Sequence, residues 1–298
     1  LDDLGVEFVT RHRWHGWSDG GGHRFAGPDG VEFDVHADVT VMALGGASWP
    51  RVGSDGGWVP IFESAGITVT SLRAANAGVV VDWSSPFVER FAGQPVKNVA
   101  VSVGTGVAVR GDVVVTGAGL EGGPVYAMGR EVRTELDASG GCTLLIDLHP
   151  DQTAAQLTDR LAIRRSKDSV TTWLRRSIGL HLVAVNLLRE AVGAALPNDA
   201  ERMAELVKRV PVSIVSSMPI DRAISTAGGV ALDEIDSDLM LRRRPGTFVA
   251  GEMIDWEAPT GGYLLQASFS TGVVAARGAA KWSRGGRDGS PSLTNDDR

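Results

Sequence analysis

Cysteine is almost missing: Cys142 stands alone among 298 residues. That excludes an internal disulfide, a cysteine-built zinc site and the paired thiols of disulfide reductases. Positive charge is not in excess either, with 29 Lys plus Arg against 36 Asp plus Glu and a net charge of -7. No general attraction to nucleic acid or to an anionic membrane follows from such a balance. No apolar run reaches the roughly 20 residues of a membrane helix, and no basic-then-apolar leader opens the chain. The expectation is a soluble, cytoplasmic protein that acts on a small molecule. Six histidines, His12, His15, His23, His36, His149 and His181, show no zinc-ligand spacing. There is no G-x-S-x-G elbow and no Walker loop, and Ser54 with Asp55 lacks a matching histidine, so no hydrolase triad is expected.

Glycine is what the chain has instead: 38 residues, about 13 % where roughly 7 % is usual. Many tight turns and close backbone approaches follow. At roughly 150 residues per domain the length gives two domains. Val6 to Trp17, Gly22 to Phe25 and Val31 to Val35 are aromatic and β-branched runs separated by glycine turns, which predicts an antiparallel meander. Val39 to Leu44 is a continuous apolar run ended by Gly45-Gly46, the pattern of a parallel strand buried on both faces. From Leu72 to Leu148 the text is β-rich and predicts a small barrel; Gln152 to Ala195 and Asp199 to Val210 carry helical spacing. Thr247 to Glu252 repeats the buried-strand-then-glycine pattern, and Gly262 to Trp282 closes as a helix. An α/β text, a β-plus-helical block, then α/β text again predicts one domain inserted into another: 1–71 and 219–282 around an insert at 72–218, with a disordered tail at 283–298.

Three glycine-centred segments are candidates for chemistry. Gly45 and Gly46 end a strand and lay backbone bare, where a missing Cβ lets a ligand touch the main chain. Gly251 ends the second such strand, and Glu252 and Asp255 follow as acids able to accept hydrogen bonds from ribityl or ribose hydroxyls. Thr260, Gly261 and Gly262 open the last helix, whose first N–H groups and positive dipole end attract negative charge. An ordinary N-cap at Thr260 is the alternative there.

Taken with Ala43 to Pro50, Gly53 to Gly56, Trp83-Ser84, Phe91 to Lys97, Thr116 to Gly123, Ile224 to Val230, Leu239 to Leu241 and the 17 residues Ala250 to Gln266, the chain resembles a bacterial family. It is that of the NAD(P)/FAD-dependent oxidoreductases of the two-dinucleotide-binding-domain superfamily, in which an extra domain interrupts the FAD-binding domain. The resemblance implies an α/β, Rossmann-like FAD/NAD(P)-binding layered domain interrupted by a β-barrel plus helical insert. FAD is the implied cofactor and NAD(P)H the implied electron donor, with hydride passing through the flavin to an organic substrate. By position, Gly45 and Gly46 would end a central strand against the cofactor, and Asp255 would lie near the ribityl and phosphate region. Gly261, Gly262, Tyr263 and Leu264 would offer N–H groups to the isoalloxazine pyrimidine edge with Gln266 nearby, and the backbone of Trp14 would touch adenine. No side chain is nominated as acid or base. The strand, G-x-G-x-x-G turn and helix that open such flavoproteins do not precede Leu1, so a partial chain is expected.

Two rival readings stand beside this one. Gly117-Ala118-Gly119-Leu120-Glu121-Gly122 fits G-x-G-x-x-G literally, follows the apolar strand Val113-Val114-Val115, precedes an expected helix and lies before Asp147, 25 positions beyond Gly122, so it is a second candidate nucleotide loop. Arg160, Arg164, Arg165, Lys167, Arg175 and Arg176 make the helical block basic. A solvated face is the plain account of them, and a binding or scaffold protein that keeps the flavoprotein fold without turnover is the functional alternative.

Overall fold

Turn chemistry sets the first sheet. Gly21 and Gly30 adopt left-handed backbone (φ 79° and 78°), and the Asp29 carboxylate accepts the Val31 N–H at 3.1 Å. These turns fold β1 (Arg13–Trp17), β2 (His23–Ala26) and β3 (Glu32–Val35) into an antiparallel sheet of that order. The expected first strand is shorter than its apolar text, because Val6 to His12 find no strand partner among the described residues. The computed structural model describes residues 1–193 and 196–285, and they group into two units. The first holds Leu1–Leu72, Ala227–Glu257 and the chain from Gly262 on; the second holds Arg73–Thr226 and Ala258–Gly261.

The first unit continues with β4 (Thr40–Met42) and α1 (Val59–Ser64), and the chain leaves it along β5 (Val69–Ala75). Three residues of the Val39 to Leu44 run form β4. They are not buried throughout, since Val41 is 42 % exposed. One ladder, to β14, serves β4 among the described residues.

The second unit contains β6 (Val79–Val80), α2 (Ser85–Phe91), β7 (Pro95–Val103), β8 (Val109–Val115), β9 (Gly119–Glu121), α3 (Gly123–Ala127), α4 (Gly129–Ser139) and β10 (Cys142–Asp147). Four helices follow: α5 (Ala154–Leu161), α6 (Val170–Ile178), α7 (Leu182–Val192) and α8 (Ala200–Lys208), then β11 (Val210–Ile214) and β12 (Ser216–Ser217). Their starts are written locally. Thr153 and Gln156 close a reciprocal capping box, and Ser169 and Asp199 accept N–H groups of Thr172 and Arg202. The seven strands pair antiparallel in the order β11-β10-β7-β8-β9-β6-β12. The barrel expected from the sequence is therefore an open-order sheet, with no closed barrel among the described residues. Helices α2 to α4 interrupt this β-rich text, and α4 turns Val132 and Leu136, four residues apart, onto the core.

One apolar core unites that sheet with its helices, and Leu144, Ile146, Leu157, Leu161, Trp173 and Leu187 in it are fully buried. The Trp173 ring N–H donates to the Leu161 carbonyl at 3.1 Å, so its burial leaves no polar atom unpaired. Cys142 is buried here, and burial followed by the charge of Glu135 pushes its thiol above the ordinary value. Of the basic residues, Arg164 stacks on Trp173, Arg176 pairs with Asp168 and Arg160 bonds Gln152.

The chain re-enters the first unit along β13 (Ser225–Val230) and reaches β14 (Thr247–Val249) and α9 (Tyr263–Gly285). β14 lies parallel to β4, with Thr40 opposite Thr247 and Met42 opposite Val249. Helix α9 packs on that pair closely: a Cβ on Gly278 would stand 2.7 Å from Phe248 Cε1. The closing helix runs three residues past Trp282, so Ser283, Arg284 and Gly285 are helical rather than tail. The rest of the expected disordered tail lies outside the described residues, as do Ala194 and Ala195 at the end of the expected helical stretch. No described helix is long and apolar enough to cross a membrane.

Candidate cofactor site

The parallel pairing of β4 and β14 carries both glycine-ended strands to the same end of the first unit. The Ala250 N–H donates to the Met42 carbonyl at 2.9 Å, extending the ladder to the residue before Gly251. Ligands of open α/β sheets bind beyond the carboxyl ends of such strands. Gly45 (φ 73°) and Gly251 (φ 77°) both take left-handed backbone there, which any other residue adopts only with strain. The Gly45 carbonyl accepts the Trp58 ring N–H at 3.0 Å, and the Gly46 carbonyl accepts the Gly56 N–H at 3.1 Å. Gly251 is held by helix α9, its N–H donating to the Thr271 hydroxyl at 3.0 Å and its carbonyl accepting the Trp256 ring N–H at 3.2 Å.

A cleft of about 400 Å³ opens beside this end, lined by Arg11, Arg13, Trp14, Leu44, Asp55 and Trp58 among others. It joins Trp14 to the glycine segment of β4 and adds two cations that the sequence did not nominate. Arg13 is ion-paired with Asp55, whose other oxygen caps the Gly57 N–H at 2.9 Å. Arg11 stands in left-handed backbone (φ 62°). Trp14 stands in the β1 ladder opposite Phe25, and its ring packs edge-on against Trp17 and Phe62.

The remaining candidates are less concentrated. Glu252 follows Gly251 in a short 3-10 turn and is half-buried, and Asp255 accepts the Thr70 hydroxyl at 2.7 Å. Thr260 and Gly261 group with the second unit, whereas Gly262, Tyr263, Leu264 and Gln266 belong to the first. Helix α9 starts at Tyr263, so Thr260 is not its N-cap. Its first intrahelical bond runs from the Gln266 N–H to the Gly262 carbonyl at 3.0 Å, leaving the N–H groups of Tyr263, Leu264 and Leu265 without a helical acceptor. Gly262 (φ 91°) has open space where a Cβ would stand. Arg11, Arg13 and Trp58 carried no sequence signal beyond adjacency to Trp14 or to the Gly53 to Gly57 turn.

The rival G-x-G-x-x-G loop does not have a ligand-cradling geometry. A Cβ on Gly119 would lie 1.9 Å from the Val79 carbonyl oxygen, and one on Gly122 would lie 2.5 Å from that of Asp112. These glycines let β9 press against β6 and β8, so backbone fills the space a nucleotide would need. Helix α3 behind them is only five residues long.

A strand pair with glycines at its carboxyl end, backed by a long helix with bare N–H groups, defines a Rossmann-type cofactor domain. The family model described as "HI0933-like protein Rossmann domain" matches residues 1–278, and the chain belongs to that FAD-dependent Rossmann family. Among curated relatives it is 26 % identical over 265 residues to the 3-dehydro-bile acid delta(4,6)-reductase of Clostridium scindens, covering 85 % of this chain and 64 % of the relative. The chain thus spans a little under two thirds of the curated relative it matches. Among solved structures it is similar to the 3-ketosteroid delta1-dehydrogenase of Sterolibacterium denitrificans in complex with 1,4-androstadiene-3,17-dione. That likeness has 16 % identity and a TM-score of 0.43, covering 94 % of this chain and 61 % of the dehydrogenase.

Proposed function

We propose that the chain is the FAD-binding and insert portion of a flavin-dependent oxidoreductase that takes hydride from NAD(P)H and delivers it to an organic substrate. Residues 1–71 and 219–282 form its FAD-binding domain and 72–218 the insert. The observation that carries the reading is the convergence of Gly45 and Gly251 at one end of a parallel pair whose covering helix begins with open glycine backbone. An orphaned polar atom supports the fit: the Ser54 hydroxyl is buried without a partner, 3.4 Å from the Cβ position of Gly45. The reductase relative is consistent with an acceptor that gains hydride.

Bound FAD would supply the redox chemistry, exchanging hydride with donor and acceptor. The chain's own residues bind and orient. Arg11 and Arg13 place positive charge in the cleft for a phosphate, and the Trp14 indole offers a flat face to a purine. The N–H groups of Tyr263, Leu264 and Leu265, with the positive end of α9, would stabilise negative charge on a bound flavin. Gly45 and Gly251 keep side chains out of the space between. Asp255 accepts hydroxyl hydrogen bonds on its free oxygen.

The test is an FAD titration of the chain followed by flavin fluorescence, beside Gly262→Val and Gly104→Val. Both glycines have left-handed backbone and open space at Cβ, but Gly104 (φ 54°) lies in the β7–β8 turn of the second unit. Gly262→Val should weaken FAD at least about tenfold, roughly 1.4 kcal/mol, while Gly104→Val binds as the parent does. Equal affinity in all three chains, or no FAD binding by the parent, overturns the reading.

A further inference from the structure

Trp14 lines the cleft, its ring packs edge-on against Trp17 and Phe62 with centroids 5.1 and 6.1 Å away, and one side chain, that of His23, takes its hydrogen bond. Its ring N–H is a donor only, and it points at His23 Nδ1 at 3.2 Å. Nδ1 must therefore carry the lone pair, which puts the proton of the neutral ring on Nε2, and Nε2 lies 2.8 Å from the Thr40 hydroxyl. Thr40 in turn begins β4: its N–H donates to the Gly246 carbonyl at 2.9 Å, and it stands opposite Thr247 of β14. A continuous chain of hydrogen bonds thus runs from the cleft wall through β2 into the parallel pair, all inside the first unit.

We propose that His23 is the positioning residue of this site: its neutral imidazole clamps the Trp14 indole in the cleft, and protonation releases the indole and weakens ligand binding. The inference rests on the FAD reading for the identity of the ligand, and on the geometry alone for the clamp. A second proton would sit on Nδ1 and face the indole N–H, so two donors would oppose each other and the bond could not form. His23 is buried, and the charged groups acting on it are Arg244, whose guanidinium lies 4.5 Å over the neighbouring Trp17 ring, and His36 at the end of β3. Burial first, then Arg244 and His36, hold the imidazole below its ordinary value. The clamp is therefore closed at neutral pH and opens in acid, below about pH 6.5.

The experiment follows the Trp14 indole N–H resonance of the full chain labelled with 15N-tryptophan, assigned with Trp14→Phe, from pH 8 to pH 4.5. FAD affinity is measured over the same range. The parent should show a one-proton transition of that resonance below pH 6.5, with FAD affinity falling along it toward tenfold per pH unit. His23→Gln keeps an acceptor for Trp14 and a donor for Thr40 but cannot titrate, so it should bind FAD tightly with a flat profile. His23→Phe should bind weakly at every pH. An indole resonance that stays flat in the parent, or a His23→Gln profile that follows the parent's, overturns the proposal. If the resonance titrates while FAD binds at no pH, the clamp stands and the FAD reading falls.

Discussion

Two glycine-rich stretches of the molecule use glycine in opposite ways. In the second unit, Gly119 and Gly122 are glycines because neighbouring backbone occupies the space of a side chain, down to 1.9 Å at the Val79 carbonyl. In the first unit, Gly262 faces open space, and Gly45 faces only the Ser54 side chain. One arrangement presses neighbouring strands together and the other leaves main chain accessible. A glycine-rich motif is therefore evidence for a ligand only when the space beside it is empty, and the literal G-x-G-x-x-G of this chain fails that condition.

The sharpest way to break the contrast is a pair of matched substitutions. Gly119→Ala should unfold the second unit or cost more than about 4 kcal/mol, because the obstacle is backbone that cannot rotate away. Gly262→Ala meets no atom and should cost only about 1 kcal/mol of left-handed strain; chemical denaturation of the two variants reads the difference. Similar losses in both would dissolve the comparison. Next in size is Trp173→Ala, which empties the second unit's core and frees Arg164 of its stacking partner. A loss of about 3–5 kcal/mol is expected, with FAD affinity per folded chain unchanged because the cleft lies in the first unit.

The smallest effect sharpens the first unit. The buried Glu234 carboxylate accepts the Thr68 hydroxyl at 2.7 Å and its N–H at 3.0 Å, and pairs with Arg243. The Thr68 hydroxyl, then its N–H and Arg243, hold the carboxyl below its ordinary value. A depressed acid stabilises the fold fully above its unfolded pKa, near 4.3, and the contribution is lost as pH falls through the folded value. Glu234→Gln should therefore lower thermal stability at pH 7 and narrow that deficit below pH 4. A deficit that does not depend on pH would show that the charge is not what the fold uses.

Much of this was legible from residues alone. The Gly45-Gly46 and Gly251 breaks, the meander turns and the final helix each depend on neighbours a few positions away. Of α2 to α4 only the helix after Gly122 was legible, because α2 and α4 lie between strands in text dominated by valine. Nor was the wall of the candidate site legible. Arg13 meets Asp55 across 42 positions and Trp14 meets His23 across nine, pairings that only the folded meander makes.

By itself the sequence determined where glycine breaks follow the two parallel strands and where the last helix runs, since both reside in local composition. Tertiary structure decided which glycines face backbone and which face open space, and that a buried histidine holds Trp14. Both depend on whether residues far apart in the chain exclude one another or a ligand from the same few ångströms, and no local pattern encodes that.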